Sequence, residues 1–213
     1  MKQNCLSTWM TCLVLTALLP ASLSGAGPEP TQADASTRPK VQVLVAYYSL
    51  SGHTKQMAQG VAEGIRRVPS AVAVVKKVDE VSKEDLESAD AIILGCPTYF
   101  GNIPGKMKLA IDDWNWRMKV DFTDKAGGAF ATGGGRLGGK GHVVTSLLLF
   151  LINNRMVVAG PLYHNPKGDG KWAEAGAAAL TGPLDPGVGK KELDAAARLG
   201  DRIARLAKKL QSG

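Results

Sequence analysis

Cysteine is scarce: three residues in a chain of 213, and two of them, Cys5 and Cys12, sit in an N-terminal apolar stretch. The rest of the chain holds only Cys96, so no internal disulfide can form there and stability must come from packing. Histidine is as rare, and His53, His142 and His164 show no ligand spacing, which predicts no metal site. No Gly-Lys-Ser/Thr closes a glycine-rich loop, which excludes a nucleotide P-loop. The net charge of +7 lacks a basic cluster to match it. Its densest set, Arg198, Arg202, Arg205, Lys208 and Lys209, is interleaved with Glu192, Asp194 and Asp201. That is the pattern of a solvated helix face, so no nucleic-acid partner is expected.

What is present starts with an address. Lys2 is followed by the apolar stretch Cys5 to Pro20, short for a membrane span, and then by small residues at Ser24 and Ala26. Residues 1–26 read as a secretory signal cut near Ala26, or as an uncleaved N-terminal anchor. No cysteine follows the stretch directly, which argues against a lipoprotein, and no twin arginine precedes it. The expected destination is therefore the periplasm, or attachment to the membrane through the N-terminus. Residues 27–39, rich in Pro, Ala, Ser and Thr and without periodicity, form a linker. One folded domain is expected over 40–213.

Within it, short apolar runs alternate with helical stripes. "VQVLVAYY", "AVAVVKKV", "DAIILG", "KAGGAFAT" and "MVVAG" read as strands, most of them apolar on both faces as in a parallel sheet. Met57, Ala58, Val61, Ala62 and Ile65 recur at helical spacing, as do Met107, Ala110, Ile111 and Trp114. Ser82 with Asp85 predicts a capped short helix, "VVTSLLLFLINN" a buried helix, and Leu193 to Leu210 a long amphipathic one. Five β-α pairs imply an α/β, doubly wound, flavodoxin-like sheet in the order 2-1-3-4-5.

Three loops then fall at the carboxyl edge of the sheet, where such folds bind ligands. Ser49-Leu50-Ser51-Gly52-His53-Thr54 offers hydroxyls, a glycine and a helix N-terminus. It reads equally as a phosphate cradle or as a polar helix cap. Pro97-Thr98-Tyr99-Phe100-Gly101-Asn102 supplies aromatic surface, and Thr132-Gly133-Gly134-Gly135 opens an amide-rich segment. A phosphate anchor, a stacking face and a row of donors suit flavin mononucleotide. The run Gly133 to Gly138 also matches G-x-G-x-x-G, but it follows the fourth strand and has no acidic residue about 20 positions on, so a chance match is the better account. Cys96 ends an apolar strand and reads as core; Tyr163 and the loop running to Lys190 read as a candidate lid.

Taken together, these three loops resemble those of the flavodoxin-like NAD(P)H:quinone oxidoreductases of the WrbA type, and the closing segment from Leu180 to Leu210 is similar to that family's C-terminus. The resemblance implies bound FMN, two-electron reduction of quinones by NAD(P)H, and a homo-oligomer. It also implies a flavin-side role for Asn154, because Asn153-Asn154-Arg155 stands where the family carries a histidine-bearing segment. Ser51 departs from the family's usual aromatic residue. A flavodoxin-type electron carrier and a flavin-free partner-binding protein on the same scaffold stay open as alternatives, and export would favour a membrane quinone or a redox protein as partner over soluble NAD(P)H.

Overall fold

Runs of apolar residues with no polar alternation put three strands in the interior of a sheet. The computed structural model describes residues 40–164, 167–168 and 170–212. Its strands are β1 (Val41–Tyr47), β2 (Ala71–Lys77), β3 (Ala91–Pro97), β4 (Ala126–Gly133), β5 (Val157–Val158), β6 (Leu162–His164), β7 (Lys171–Ala173) and β8 (Ala177–Leu180). Every residue of β4 and all of β3 but Pro97 are buried. The sheet is parallel in the order β2-β1-β3-β4-β5, as the β-α alternation requires.

Two sequence expectations needed amendment. The expectation that most strands are buried on both faces does not extend to "AVAVVKKV": β2 is an edge strand whose residues are half-buried or exposed. The fifth strand is split: β5 pairs with Ala126 and Gly127 at the start of β4, and β8 pairs with Phe130 to Gly133 at its end. Between the two halves, β6 and β7 form an antiparallel hairpin on which Tyr163 and Trp172 stack at 5.5 Å.

The helices are α1 (His53–Arg66), α2 (Lys83–Ser88), α3 (Gly105–Trp116), α4 (Lys140–Asn153) and α5 (Lys190–Gln211). Ser82 caps α2 as its spacing predicts: its hydroxyl accepts the Asp85 N–H at 3.1 Å while the Asp85 carboxylate accepts the Ser82 N–H at 2.8 Å. One core lies between the sheet and α2, α3 and α4, around Leu44, Ile92, Leu94, Trp114 and Leu147. The other lies between the sheet and α1 and α5, around Val45, Met57, Ile93, Phe130 and Ile203. Each such aliphatic side chain, fully buried, contributes about 1.5–3 kcal/mol. The helix α4 is buried on one side only; Leu149 and Ile152 are about half exposed. Because β1, β3 and β4 run the same way, the loops that follow them meet at one edge.

Candidate functional site

The loop from β1 into α1 is held by its own side chains. Ser49 Oγ accepts the Gly52 N–H at 3.2 Å, and Ser51 Oγ lies 3.2 Å from His53 Nδ1. Gly52 occupies the left-handed region at φ 94° and starts α1 with no side-chain cap. The first intrahelical bond runs from Gln56 N–H to the Gly52 carbonyl, so the amides of His53, Thr54 and Lys55 face outward from an uncapped, positively polarised helix end. Thr54 is buried, with its Oγ1 2.8 Å from Thr132 Oγ1. Whichever of the two donates, the pair retains one hydroxyl proton to offer.

The second loop is a tight turn. Tyr99 and Asn102 exchange both backbone hydrogen bonds at 3.0 Å, with Phe100 at φ 51° and Gly101 at φ 82° between them. Two positive φ values in succession define a type I′ turn. An aromatic residue at positive φ is strained by roughly 1–3 kcal/mol. The turn nevertheless holds Phe100 fully exposed. Tyr99 meets Tyr48 edge to face at 6.1 Å. Burial first, and then Tyr48, push the Tyr99 hydroxyl up to about 12.

The third loop closes on the second. A Cβ built on Gly139 would lie 2.6 Å from the Gly101 Cα, and His142 Nε2 is 3.2 Å from Asn102 Oδ1. A Cβ on Gly133 would meet Thr98 at 3.0 Å and Lys140 Cγ at 3.4 Å. Asp185 fastens this loop to the segment after β8, its Oδ2 accepting the N–H of Gly135 at 2.9 Å and of Gly182 at 2.8 Å. Those two backbone bonds hold the Asp185 carboxyl below its ordinary range. The lid expected from Tyr163 to Lys190 is thus two pieces. The hairpin leans on α5 through Tyr163 and Arg198, and the remainder is clasped to the Gly-rich loop.

Sixteen of the expected site residues, Ser49 to Thr54, Pro97 to Asn102 and Thr132 to Gly135, come together at this edge. Asn154 does not, and the expectation is corrected. It follows α4, donating Nδ2–H to the Phe150 carbonyl, and the adjacent Arg155 carbonyl accepts the Asp124 N–H just ahead of β4. A helix of 14 residues spans about 21 Å, which puts Asn154 at the opposite edge of the sheet within the protomer. Cys96 is fully buried and its thiol is pushed up to about 12 by desolvation, so it is an inert core residue. Sequence reading missed Tyr48, Lys140, His142 and Asp185; only Lys140, first after the glycine run, carried a local signal.

A family model described as NADPH-dependent FMN reductase matches residues 73–168, which include the second and third loops. The chain is 35% identical over 149 residues to an NAD(P)H dehydrogenase (quinone) of Geobacter sulfurreducens, covering 58% of this chain and 73% of that protein. To an NAD(P)H dehydrogenase (quinone) of Solidesulfovibrio magneticus it is 32% identical over 206 residues, covering 81% of this chain and all of that protein, 100%. The chain belongs to the NAD(P)H dehydrogenase (quinone) family. In fold it is similar to a flavodoxin, WrbA-like protein from Agrobacterium tumefaciens, with a TM-score of 0.61 at 24% identity over 80% of this chain and 99% of that one.

For a member of the NAD(P)H dehydrogenase (quinone) family, the loops suit FMN on three counts. Thr98 Oγ1 is buried at the meeting point of the second and third loops and has no hydrogen-bond partner, which is costly unless a ligand supplies one. The uncapped α1 terminus suits a phosphate. Added Cβ atoms at Gly52, Gly101 and Gly135 would meet nothing within 4 Å, so the backbone there faces open space. The Ser49 hydroxyl and the α1 amides would hold the phosphate, Phe100 would face the ring, and Thr98, Tyr99 and the loop amides would meet its polar edge.

Proposed function

We propose that the chain is an FMN-dependent oxidoreductase that carries out two-electron reduction of quinones with NAD(P)H as donor. The observation that carries this reading is the orphaned Thr98 hydroxyl where the second and third loops meet; membership of the NAD(P)H dehydrogenase (quinone) family supports the reaction. Bound FMN supplies the electron-transfer chemistry. The chain's own residues anchor, orient and shield. The α1 amides and Ser49 fix one end of the ligand, and the strained Phe100 turn holds an apolar face in place before anything binds. Leu50 and Leu137, largely or fully exposed beside these loops, exclude water when a ligand covers them. The test is direct: the purified protein should be yellow and should turn over a quinone with NADH or NADPH. A colourless preparation that ignores added FMN overturns the reading, and a yellow one without quinone turnover makes the chain an electron carrier.

The N-terminal segment supports export to the periplasm, or attachment to the membrane by that segment. There a membrane quinone or a redox protein partner is the accessible electron partner. Cell fractionation with sequencing of the mature N-terminus decides it; a cytoplasmic protein starting at Met1 rules it out. Exposed apolar side chains on α3, Leu109 and Trp116, and on α4, Leu149 and Ile152, support a homo-oligomer, to be read by sedimentation.

A further inference from the structure

Lys140 is the first residue of α4 and only 9% exposed. Its ammonium has three protons to donate and gives one to the Gly135 carbonyl at 2.5 Å. No carboxylate of the described residues pairs with it. Asp185, whose carboxyl feels its charge, has already committed Oδ2 to the amides of Gly135 and Gly182. A buried charge with no direct ion pair, and only the already engaged Asp185 carboxylate near it, is expensive and is offset where something further negative comes to meet it.

The surroundings say where. The Lys140 stem packs beside Gly133, which also abuts the unpartnered Thr98 hydroxyl, and Gly139 touches the Gly101 turn beneath Phe100. The uncapped end of α4 adds its own positive polarity at the same place. Of the other uncapped helix ends, that of α1 belongs to the opposite face of the sheet and answers the phosphate, and that of α3 follows Pro104 on the same face as α4. Lys140, its stem beside Gly133 and the unpartnered Thr98, is the cation placed for the ring. We infer that Lys140 is the charge-tuning residue of the flavin site, its ammonium stabilising the negative charge that the isoalloxazine gains on reduction. This rests on the flavin reading above. Fixed charge beside the ring is one of the ways a protein sets a flavin's electronics. Asp185 is then a positioning residue: it holds Gly135, and Gly135 holds the ammonium.

The experiment compares FMN affinity of the oxidised and reduced forms in the wild type, Lys140→Gln and Lys140→Arg, by apoprotein titration and potentiometry. Glutamine can still donate to the Gly135 carbonyl but carries no charge. Its ratio of reduced to oxidised affinity should fall tenfold or more, a drop in midpoint potential of about 30 mV, while Lys140→Arg stays within threefold of wild type. If Lys140→Gln does not fold by circular dichroism, Lys140→Met reads the same ratio. An unchanged ratio in the neutral variants overturns the inference. So does a loss of FMN affinity, equal in both redox states, that spares riboflavin, because the cation would then serve the phosphate. A wild-type protein that binds no FMN overturns the flavin reading itself, and is seen before any variant is made.

Discussion

Glycine serves opposite ends in two regions of this molecule. Where α1 crosses α5, a Cβ on Gly64 would lie 1.8 Å from the Ala197 carbonyl oxygen, and one on Gly200 would lie 2.0 Å from that of Val61. These glycines let two helix backbones touch. At the ligand edge, Gly52, Gly101 and Gly135 would meet nothing, and all three have positive φ. There the residue is kept for its backbone conformation and for the space in front of it. A sequence shows only that both regions are glycine-rich; the neighbours decide which are packing and which are site.

The largest expected effect breaks the packing side of that comparison. Gly64→Ala should destabilise the fold by about 2–3 kcal/mol in urea unfolding, because a methyl group against backbone forces the helices apart. Gly141→Ala in α4, where the new Cβ would meet nothing, should gain up to about 1 kcal/mol from helix propensity. Equal effects at the two positions would show that the crossing is loose.

Thr54→Val probes the boundary between the regions, since Thr54 starts the crossing helix and also belongs to the site. It leaves the buried Thr132 Oγ1 without its partner, at about 1–3 kcal/mol. Adding Thr132→Val should recover most of that stability, because removing both partners is nearly neutral. FMN titration separates the roles: the phosphate reading expects weaker binding by Thr54→Val, and an unchanged affinity reduces the loop to a helix cap.

What could be read in advance follows the range of the interactions. The interior strands, the α1 stripe and the Ser82–Asp85 cap are set by residues within four positions of one another, and each was legible. The split fifth strand was not. Its first half, Val157 and Val158, is the strand expected at "MVVAG", but Ala177 to Leu180 carries no strand signature apart from pairing with β4. The three site loops were legible from their residue types, but the clasp from Asp185 to Gly135 spans 50 positions and has no local trace. Asn154 failed for a geometric reason: a family correspondence along the chain says nothing of the helix length that carries it to the far edge.

Thr98→Val should split in sign. The apoprotein should gain stability, by about 1 kcal/mol, since an unpaired buried hydroxyl is removed without losing a partner. FMN should bind more weakly by a similar amount if that hydroxyl meets the flavin. Loss of stability in the apoprotein would show that Thr98 already has a partner in solution.

The smallest effect concerns pH, and tests whether the open region is held by charge. Asp185 titrates below its ordinary value because the amides of Gly135 and Gly182 donate to its ionised form. A carboxyl depressed in the folded state contributes stability that is present above the ordinary carboxylate range, near pH 4, and lost as pH falls through the lower folded value. The Gly-rich loop should therefore loosen only in acid: the clasp's own contribution to FMN affinity, read as the difference between wild type and Asp185→Asn so that titration of the FMN phosphate near pH 6 cancels, should be constant from neutral pH to about 5 and fall below 4. In Asp185→Asn the amide oxygen can still accept from one N–H but no longer titrates. That variant should bind FMN somewhat more weakly at neutral pH and should lose the part of the acid dependence that belongs to the clasp. Parallel curves for Asp185→Asn and wild type down to pH 3 would show that the loop is held by packing at Gly134 and Gly182 rather than by the carboxylate.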